Sequence, residues 1–557
     1  MEKIDQKLKT VLKNVQKPAR YTGGEYNQVV KNKEHVNVRV AFCFPDTYEI
    51  GMSNLGLRII YGVLNSINDV WCERVFAPWV DMESEMRDSG LPLYGLESYD
   101  AIRDFDIVAF SIGYELSYTN VLNMLDLAGI PLRRSDRGEN DPLVIAGGSS
   151  CYNPEPMAEF FDLFVIGDGE EVIVELIDAY KESDGKSNFL NMASTLSGVY
   201  VPSQNNEKSP PVAKRYIDDL DSSFFPVDTI VPSTGIVHDR AVLELFRGCI
   251  RKCKFCQAGY TGDPVRSRSP ETLVKQGRAA ITNSGYDELA LLSLSTSDYK
   301  HLNELCDSLL QWCEPKKINL SLPSLRADSF SIDLMERVQK VRKSGLTFAP
   351  EAGSQRLRDH INKNLAEDDL LGACRVAFEG GWNSVKLYFM LGLPTETDED
   401  IIAIANLSHS VLQEWKNSSG SKKRGVRITV STSCFVPKPH TPFEREKQIT
   451  ISEYLRRVEL LKSSIRSKSI TYNWHSPQQG YIEAVLSRGD KRIGDVIEAA
   501  WSMGARMDSW RELFFFDKWK AAFSECSIDP EFYVTRERAD DEELPWSFLK
   551  IRRSKNE

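Results

Sequence analysis

Three cysteines on one short stretch of chain constrain this sequence more than any other feature. They stand in Arg247-Gly248-Cys249-Ile250-Arg251-Lys252-Cys253-Lys254-Phe255-Cys256, with the spacing C-x3-C-x2-C. Three thiolates on one loop can bind three irons of a [4Fe–4S] cluster, which leaves the fourth iron without a protein ligand. Because an open iron can bind a small molecule, the spacing predicts a reactive cluster rather than a purely structural one.

A zinc site is the main alternative reading of these cysteines. Structural zinc loops usually supply C-x2-C pairs that meet a second pair or two histidines. Upstream of the motif His238 stands alone, and the next cysteine along the chain is Cys306. The spacing therefore favours an iron–sulfur cluster, with a three-ligand zinc site or scattered core thiols as the alternatives.

Composition and charge narrow the class of protein. At 557 residues the chain should hold more than one domain. Its net charge of −11 argues against a broad nucleic-acid-binding surface, so no nucleic-acid partner is indicated. Eleven cysteines are too sparse for a disulfide framework and predict a reducing, cytoplasmic location. The lysine-rich first 20 residues lack the apolar core of a signal peptide, and no apolar run predicts a membrane span.

Two series of apolar strands alternate with helical stretches along the chain. The first series predicts a doubly wound parallel α/β sheet over residues 36–184, after a charged lead-in at 1–35. Residues 185–235 are rich in Ser, Pro, Asn and Asp, which is typical of a linker. The expected strands of this first domain are 36–45, 105–111, 142–148 and 163–170, with an extended piece at 198–202 in the linker.

The second series predicts a partial (β/α)6 barrel over residues 236–449. Its expected strands are Ala241–Phe246, Glu288–Leu294, Asn319–Leu322, Leu346–Phe348, Ser384–Met390 and Arg427–Ser433. The cysteine motif directly follows the first of these strands, at the strand end where barrel active sites lie. Residues 450–557 are expected to form a mostly helical region and a tail.

Further motifs in the barrel resemble those of the radical S-adenosylmethionine (SAM) superfamily. Phe348–Ser354 is similar to that superfamily's fourth-strand Glu/Gly/Ser segment, and Asn362-Lys363 downstream is also typical of it. Lys386–Thr397 resembles its fifth-strand "GLP-x-E" turn, and Phe435–Phe443 resembles a sixth-strand ending. From about residue 36 to 535 the chain resembles a subfamily that has an N-terminal cobalamin-binding-like domain and no secure substrate.

The resemblance implies a reaction and a set of contacts. SAM would bind the open iron, and a reduced cluster would cleave it to methionine and a 5′-deoxyadenosyl radical that acts on an unknown substrate. The electron donor would be a protein such as a flavodoxin or ferredoxin. The residues expected to contact SAM or the cluster are Phe255, Ser297, Asp298, Glu351, Arg356, Arg358 and Gly392, although the usual glycine-glycine-glutamate segment is absent.

The first domain carries a modified cobalamin motif. Related domains use D-x-H-x-x-G after the first strand, whereas this chain has Asp46, Tyr48 and Gly51 at the three positions. A neutral phenol is a much poorer metal ligand than imidazole, so cobalamin would bind without a protein histidine or not at all. Glycines at later strand ends would let a corrin tail approach the backbone, or simply make tight turns: Gly147, Gly148, Gly167 and Gly169.

Two other functions remain compatible with the sequence. Cys43, Cys72 and Cys151 could hold a second cluster, as in methylthiotransferases, which this chain resembles in the barrel. The missing histidine and the absent glycine-glycine-glutamate segment are compatible with a non-catalytic sensor of cobalamin or of the cluster.

Overall fold

The computed structural model describes residues 4–205, 209–323, 326–327, 346–418 and 425–551. The first part of the chain is a doubly wound α/β domain, as predicted. Its strands are β1 (Val38–Phe44), β2 (Val70–Phe76), β3 (Ile107–Ser111), β4 (Leu143–Gly147), β5 (Leu163–Val165) and β6 (Val199–Tyr200). Its helices are α1 (Ile4–Val11), α2 (Tyr48–Gly51), α3 (Leu55–Ser66), α4 (Val80–Ser89), α5 (Tyr118–Ala128), α6 (Val172–Glu182) and α7 (Lys186–Ala193).

The strand order of this sheet is β2-β1-β3-β4-β5-β6, and every pair except β5–β6 is parallel. The order reverses between β1 and β3, which is where ligands bind in doubly wound sheets. The extended piece expected in the linker is β6, and it adds an antiparallel edge strand to the sheet.

Strand β2 was absent from the sequence prediction. All seven of its residues are buried, yet Glu73 and Arg74 interrupt its apolar pattern. The Arg74 guanidinium donates to Glu97 at 2.7 Å and to Glu25 at 2.8 Å, so its charge is neutralised inside the core. Because those partners lie at other places in the sequence, the local pattern gave no signal of a buried strand.

The middle of the chain forms the barrel. A short strand before it, β7 (Val212–Ala213), pairs with a strand near the C-terminus. The strands of the barrel region are β8 (Ala241–Glu244), β9 (Phe246–Arg247), β10 (Arg266–Ser267), β11 (Glu288–Leu292), β12 (Asn319–Ser321), β13 (Leu346–Glu351), β14 (Ser384–Leu391), β15 (Arg427–Cys434) and β16 (Ile470–Trp474). Its helices are α8 (Gln257–Thr261), α9 (Pro270–Ser284), α10 (Leu302–Cys313), α11 (Gln355–His360), α12 (Glu367–Glu379) and α13 (Asp398–Asn417).

Parallel sheets β12-β11-β8 and β13-β14-β15-β16 build the barrel wall. The six strands expected from sequence are all present, and β16 extends the second sheet from a region expected to be helical. Local signals fix the helices: the Ser269 side chain caps the start of α9, and Gly285, with φ of +75°, ends it.

The C-terminal region is helical apart from β16 and the short β17 (Leu549–Lys550), which pairs with β7. Its helices are α14 (Ile451–Ser464), α15 (Pro477–Arg488), α16 (Ile493–Ser502), α17 (Phe516–Glu525) and α18 (Glu531–Val534). Helix α16 packs against α5, and residues of α15–α18 share one apolar core with the N-terminal sheet. The C-terminal region therefore docks onto the first domain.

Candidate active site

The cysteine loop begins with a sharp turn at the end of β9. Gly248 has φ of +88°, and a Cβ atom there would lie 2.6 Å from the Gly262 carbonyl oxygen, so only glycine fits. Cys249, Cys253 and Cys256 follow as free thiols, and Cys256 immediately precedes helix α8. The three thiols thus lie on one loop at the carboxyl end of the first barrel strand.

Distant side chains hold the loop in place. Asn362, just after helix α11, donates its amide hydrogens to the Arg251 carbonyl oxygen at 3.1 Å and the Lys252 carbonyl oxygen at 2.9 Å. The Tyr260 hydroxyl donates to the same Lys252 oxygen at 3.0 Å. Lys252 has φ of +52°, so these bonds stabilise a strained turn inside the motif.

The loop chemistry fits a cluster. Burial raises the pKa of Cys253 and Cys256, while the positive charge of Lys363 partly offsets this. Free thiols that face a cation are suited to bind iron as thiolates. Among the described residues, no three His, Cys, Asp or Glu side chains converge on one metal ion. A cluster would bind these cysteines through three separate irons, so the thiols need not converge on one point.

Glu351 faces the loop from the end of β13. Its φ of +70° coincides with a register shift between β13 and β14, which re-aims the strand end. The Lys363 ammonium lies 3.1 Å from its carboxylate. Burial nevertheless raises the pKa of Glu351, because the charges of Lys363 and Arg326 do not fully offset the loss of water.

Arg326, which the sequence analysis did not select, belongs to the same group. Its backbone N–H donates to the Ser297 hydroxyl at 3.1 Å, and its guanidinium donates to the Lys363 carbonyl oxygen at 3.1 Å. The sequence signal that could have identified Arg326 is its position soon after the third barrel strand, at the end where barrel active sites lie. Ser297, Glu351, Arg326 and Lys363 therefore form one connected polar cluster beside Cys253, which can contact a zwitterionic ligand.

Asp298 pairs with the cysteine loop itself. The Arg251 guanidinium donates to its carboxylate in a forked arrangement, with Nε–Oδ2 at 2.8 Å. Burial raises the pKa of Asp298, but hydrogen bonds and charge from Arg251 outweigh it, and the pKa lies below its ordinary value. This contact stabilises the loop between Cys249 and Cys253.

Three other expected SAM contacts have close protein partners. Arg356 is paired with Asp400 and donates to the Thr395 carbonyl oxygen at 2.9 Å. Arg358 is buried, and its guanidinium donates to the carbonyl oxygens of Gly353 at 2.7 Å and Leu365 at 2.9 Å. Gly392 makes a turn of positive φ. These contacts give each residue a structural task, and a SAM role for them stays a prediction.

Phe255 lies in an apolar group under the cysteine loop. It packs against a cluster formed by Ala352, Leu357, Ile361, Leu393, Phe435 and Phe443. The cluster joins the ends of the fourth, fifth and sixth barrel strands, so Phe255 fixes the loop to that side of the barrel.

A second site is a cavity of about 450 Å³ in the N-terminal domain. It lies between the carboxyl ends of β3–β5 and helix α3, and its interior is mostly apolar. Gly147, Gly148, Gly167 and Gly169 line it, together with side chains such as Ile60. Its mouth reaches the barrel, where Glu244, Arg247 and Leu292 complete the wall.

The D-x-Y-x-x-G positions lie outside that cavity. The buried Tyr48 hydroxyl donates to Glu25 at 2.8 Å, and burial raises the pKa of Tyr48. Asp46 accepts from the Trp510 indole N–H at 3.0 Å, and a Cβ on Gly51 would collide with Phe76. All three residues are thus committed to packing with other parts of the protein.

The three cysteines considered for a second cluster do not converge. Cys72 lies opposite Val40 on the neighbouring strand β1, so it shares the sheet face of Val40. Cys43 is three residues further along β1 and points to the opposite face. All three thiols, Cys151 included, are buried, and burial raises their pKa. This geometry contradicts the hypothesis that Cys43, Cys72 and Cys151 bind a second cluster.

Fold and site together define an α/β-barrel protein with a three-cysteine loop and a doubly wound domain. Comparison with known families gives the particular class. The model of the radical SAM superfamily matches residues 243–408, and that of the N-terminal region of radical SAM proteins matches residues 56–202. The chain belongs to the radical SAM superfamily, and this membership implies a [4Fe–4S] cluster and SAM as cofactors and supports an enzymatic role.

Individual proteins are similar to this chain over much of its length. An uncharacterized protein of Methanocaldococcus jannaschii is 29% identical over 88% of this chain and 97% of its own length. A putative methylthiotransferase of the same organism is 22% identical over 67% of this chain and 74% of its own. The structure of the radical SAM methyltransferase TsrM from Kitasatospora setae, with cobalamin and a [4Fe–4S] cluster bound, covers 75% of each chain at 14% identity and a TM-score of 0.52.

No helix in the described part of the chain has both the length and the apolar character needed to cross a membrane.

Proposed function

We propose that this protein cleaves SAM reductively at a [4Fe–4S] cluster bound by Cys249, Cys253 and Cys256, with cobalamin held in the glycine-lined cavity. The observation that carries the proposal is the cysteine loop, braced by Asn362 and faced by Lys363 and Glu351 at the carboxyl end of the barrel. A reduced cluster with SAM bound supplies the 5′-deoxyadenosyl radical that acts on the substrate.

The residues around the loop have separable tasks in this proposal. Lys363 and Arg326 offer positive charge to the carboxylate of the methionine part of SAM, and Glu351 offers a carboxylate to its amine or ribose. The one-electron donor is a protein such as a flavodoxin or ferredoxin, because superfamily members generally need a reductant.

The cavity suits a flat, largely uncharged ring. Four lining glycines allow close approach of a ligand to the backbone, and the volume is in the usual range for cofactor sites. Asp168, Glu170 and Glu244 make the mouth acidic, although Arg247 and Arg266 pair with them. Since Tyr48 is buried against Glu25, cobalamin would bind without a protein side chain of this motif on the cobalt.

The decisive experiment measures 5′-deoxyadenosine by mass spectrometry after anaerobic cluster reconstitution, with SAM and dithionite, and with or without cobalamin. We expect about four irons per chain and deoxyadenosine from the natural protein. Cys253→Ala should abolish both. Cys526→Ala, a partly exposed cysteine far from the loop in sequence, is the matched control and should change neither.

Other outcomes separate the remaining functions. A full cluster and bound SAM without deoxyadenosine, even under strong reductant, would favour the non-catalytic sensor. About eight irons per chain would favour the methylthiotransferase-like function. The similarity to the putative methylthiotransferase of Methanocaldococcus jannaschii supports that alternative. Such a second cluster would need ligands other than the set of Cys43, Cys72 and Cys151.

A further inference from the structure

Arg247 connects the cavity to the cysteine loop. Among the described residues that line the cavity, it is the one closest in sequence to the three cysteines. Its side chain lines the mouth of the cavity, and Cys249 follows two residues later. The guanidinium donates to Glu170 at 2.6 Å and to Glu244 at 2.9 Å, and it lies 3.3 Å from Asp168. One partly buried side chain thus bridges the N-terminal domain and the first barrel strand.

The N-terminal side of this bridge is a stiff loop. Gly167 has φ of +114°, and a Cβ there would lie 1.9 Å from the Arg215 carbonyl oxygen. The Asp168 N–H donates to that same oxygen at 3.0 Å, and the Asp168 carboxylate accepts from the Ile217 N–H at 2.9 Å. Asp168 and Glu170 therefore lie on the same braced loop as two glycines that line the cavity.

The barrel side is equally tight. Gly248 packs its backbone against Gly262, which lies just beyond helix α8, and a Cβ on either glycine would collide with the other's backbone. Cys256 precedes that helix. Contiguous packed backbone therefore connects Arg247 to the first and the last cysteine of the motif.

We propose that Arg247 is a positioning residue that couples occupancy of the glycine-lined cavity to the cysteine loop. The inference rests on the proposed function, because it takes cobalamin as the ligand of the cavity. Its forked guanidinium holds Glu170 and Glu244 in one arrangement, which lysine cannot reproduce. By linkage, a ligand that changes the loop must itself bind with an affinity that depends on the state of the loop.

The test is a comparison of binding constants that requires no turnover. Equilibrium dialysis gives the Kd for aquacobalamin of the cluster-free and the cluster-loaded protein. We expect the two values to differ about five-fold or more in the natural chain, the usual lower range of coupling between sites. Arg247→Lys should bring the ratio to about one, while keeping about four irons per chain.

Arg240→Lys is the matched control. Arg240 directly precedes the same barrel strand, pairs with Glu288 at 2.7 Å and does not line the cavity. Its ratio should equal that of the natural protein. Glu170→Gln breaks the bridge from the N-terminal side and should also bring the ratio to about one, which decides the matter if Arg247→Lys does not retain iron.

The outcomes distinguish this inference from the proposed function. Cobalamin binding with a ratio of one in the natural protein overturns the coupling alone. A ratio that survives in both Arg247→Lys and Glu170→Gln overturns the role of Arg247. Failure of the natural protein to bind cobalamin in either state overturns the cobalamin part of the proposed function, and the coupling with it.

Discussion

Asn362 shows how single residues shape the cysteine loop from afar. It lies 106 positions beyond the last cysteine of the motif, yet its amide donates to two carbonyl oxygens between the first and second cysteines. Each such bond contributes about 1 kcal/mol. The loop conformation is therefore stabilised from the far side of the barrel.

We predict that Asn362→Ala weakens cluster retention more than overall stability. Loss of both hydrogen bonds frees the strained turn at Lys252, so iron should be lost to a chelator several-fold faster. Iron release under anaerobic conditions measures the effect. Asn191→Ala, which removes a hydrogen bond that Asn191 accepts from Gln204 elsewhere in the chain, should leave the rate unchanged. An equal rate of iron release in both variants would contradict the bracing role of Asn362.

At this scale the sequence predicted identities better than contacts. Cys249, Cys253 and Cys256 were recognisable because three ligands stand within one loop. Asp298 was expected to face SAM, but Arg251 pairs with it. Arg247 and Arg326 went unselected, because their partners are set by tertiary contacts that no local spacing encodes.

Among the elements, the carboxyl ends of β4 and β5 carry glycine for two different reasons: Gly147 is the last residue of β4, and Gly167 follows β5. Gly167 has positive φ and no space for a Cβ atom, whereas Gly147 has ordinary φ and a Cβ there would lie 3.7 Å from Val165. The fold therefore requires glycine at position 167. At position 147 a Cβ atom would make only ordinary van der Waals contacts.

We predict opposite phenotypes for alanine at the two positions. Gly167→Ala should destabilise the protein by about 3 kcal/mol or more, because both the backbone and the Arg215 carbonyl must shift. Gly147→Ala should keep the melting temperature, and it should weaken cobalamin binding because its methyl group enters the cavity. Thermal unfolding measures the stability of both variants, and equilibrium dialysis measures their cobalamin binding. Equal melting temperatures of the two variants would contradict the different roles of Gly167 and Gly147.

Elements were predictable wherever an uninterrupted apolar run marked a strand. All six expected barrel strands are present, and so are β1 and β3–β5. Strand β2 was not predicted because Glu73 and Arg74 interrupt its apolar run. Strand β16 was not predicted because it is short, contains exposed polar residues and lies between helices. A buried charge is compatible with a strand only when distant partners such as Glu25 neutralise it.

On the scale of the whole molecule, Lys438 ties three parts together. Its ammonium lies 2.9 Å from Glu115 in the N-terminal domain and 2.8 Å from Glu483 on α15. Burial lowers the pKa of Lys438, but the two carboxylates outweigh this and raise it. The lysine itself belongs to the segment after the sixth barrel strand.

We predict that Lys438→Gln costs roughly 3 kcal/mol in the free energy of unfolding, since it leaves two carboxylates facing each other in a mostly buried place. Lys447→Gln removes an exposed pair with Glu537 and should cost less than about 1 kcal/mol. Urea denaturation measures both, and similar costs would contradict a special role for Lys438.

Asp508 is a buried carboxyl group at the contact between the C-terminal region and the N-terminal domain. It is fully buried and accepts hydrogen bonds from Thr119 at 2.8 Å and the Trp519 indole at 3.2 Å. Burial raises the pKa of Asp508 from 3.8 to about 6. The folded protein thus binds this proton more tightly than the unfolded chain does.

We predict that the free energy of unfolding falls by about 3 kcal/mol through this group as pH rises from about 4 to about 6. Asp508→Asn should remove that part of the pH dependence. Asp495→Asn, at an exposed position on α16, should leave it intact. Tryptophan fluorescence during urea unfolding at several pH values gives the comparison, and an unchanged slope in Asp508→Asn would refute it.

The joint core of the N-terminal sheet and the C-terminal helices has a consequence for how the chain is made. Helix α16 packs against helix α5, and the barrel lies between these two helices in the sequence. The ribosome therefore synthesises the barrel after α5 and before α16. A growing polypeptide therefore leaves the ribosome with an apolar face of its first domain uncovered until the barrel has been synthesised. Premature release before α16 would leave that face open to aggregation, so protection by chaperones during synthesis matters more for this topology than for a simple two-domain chain.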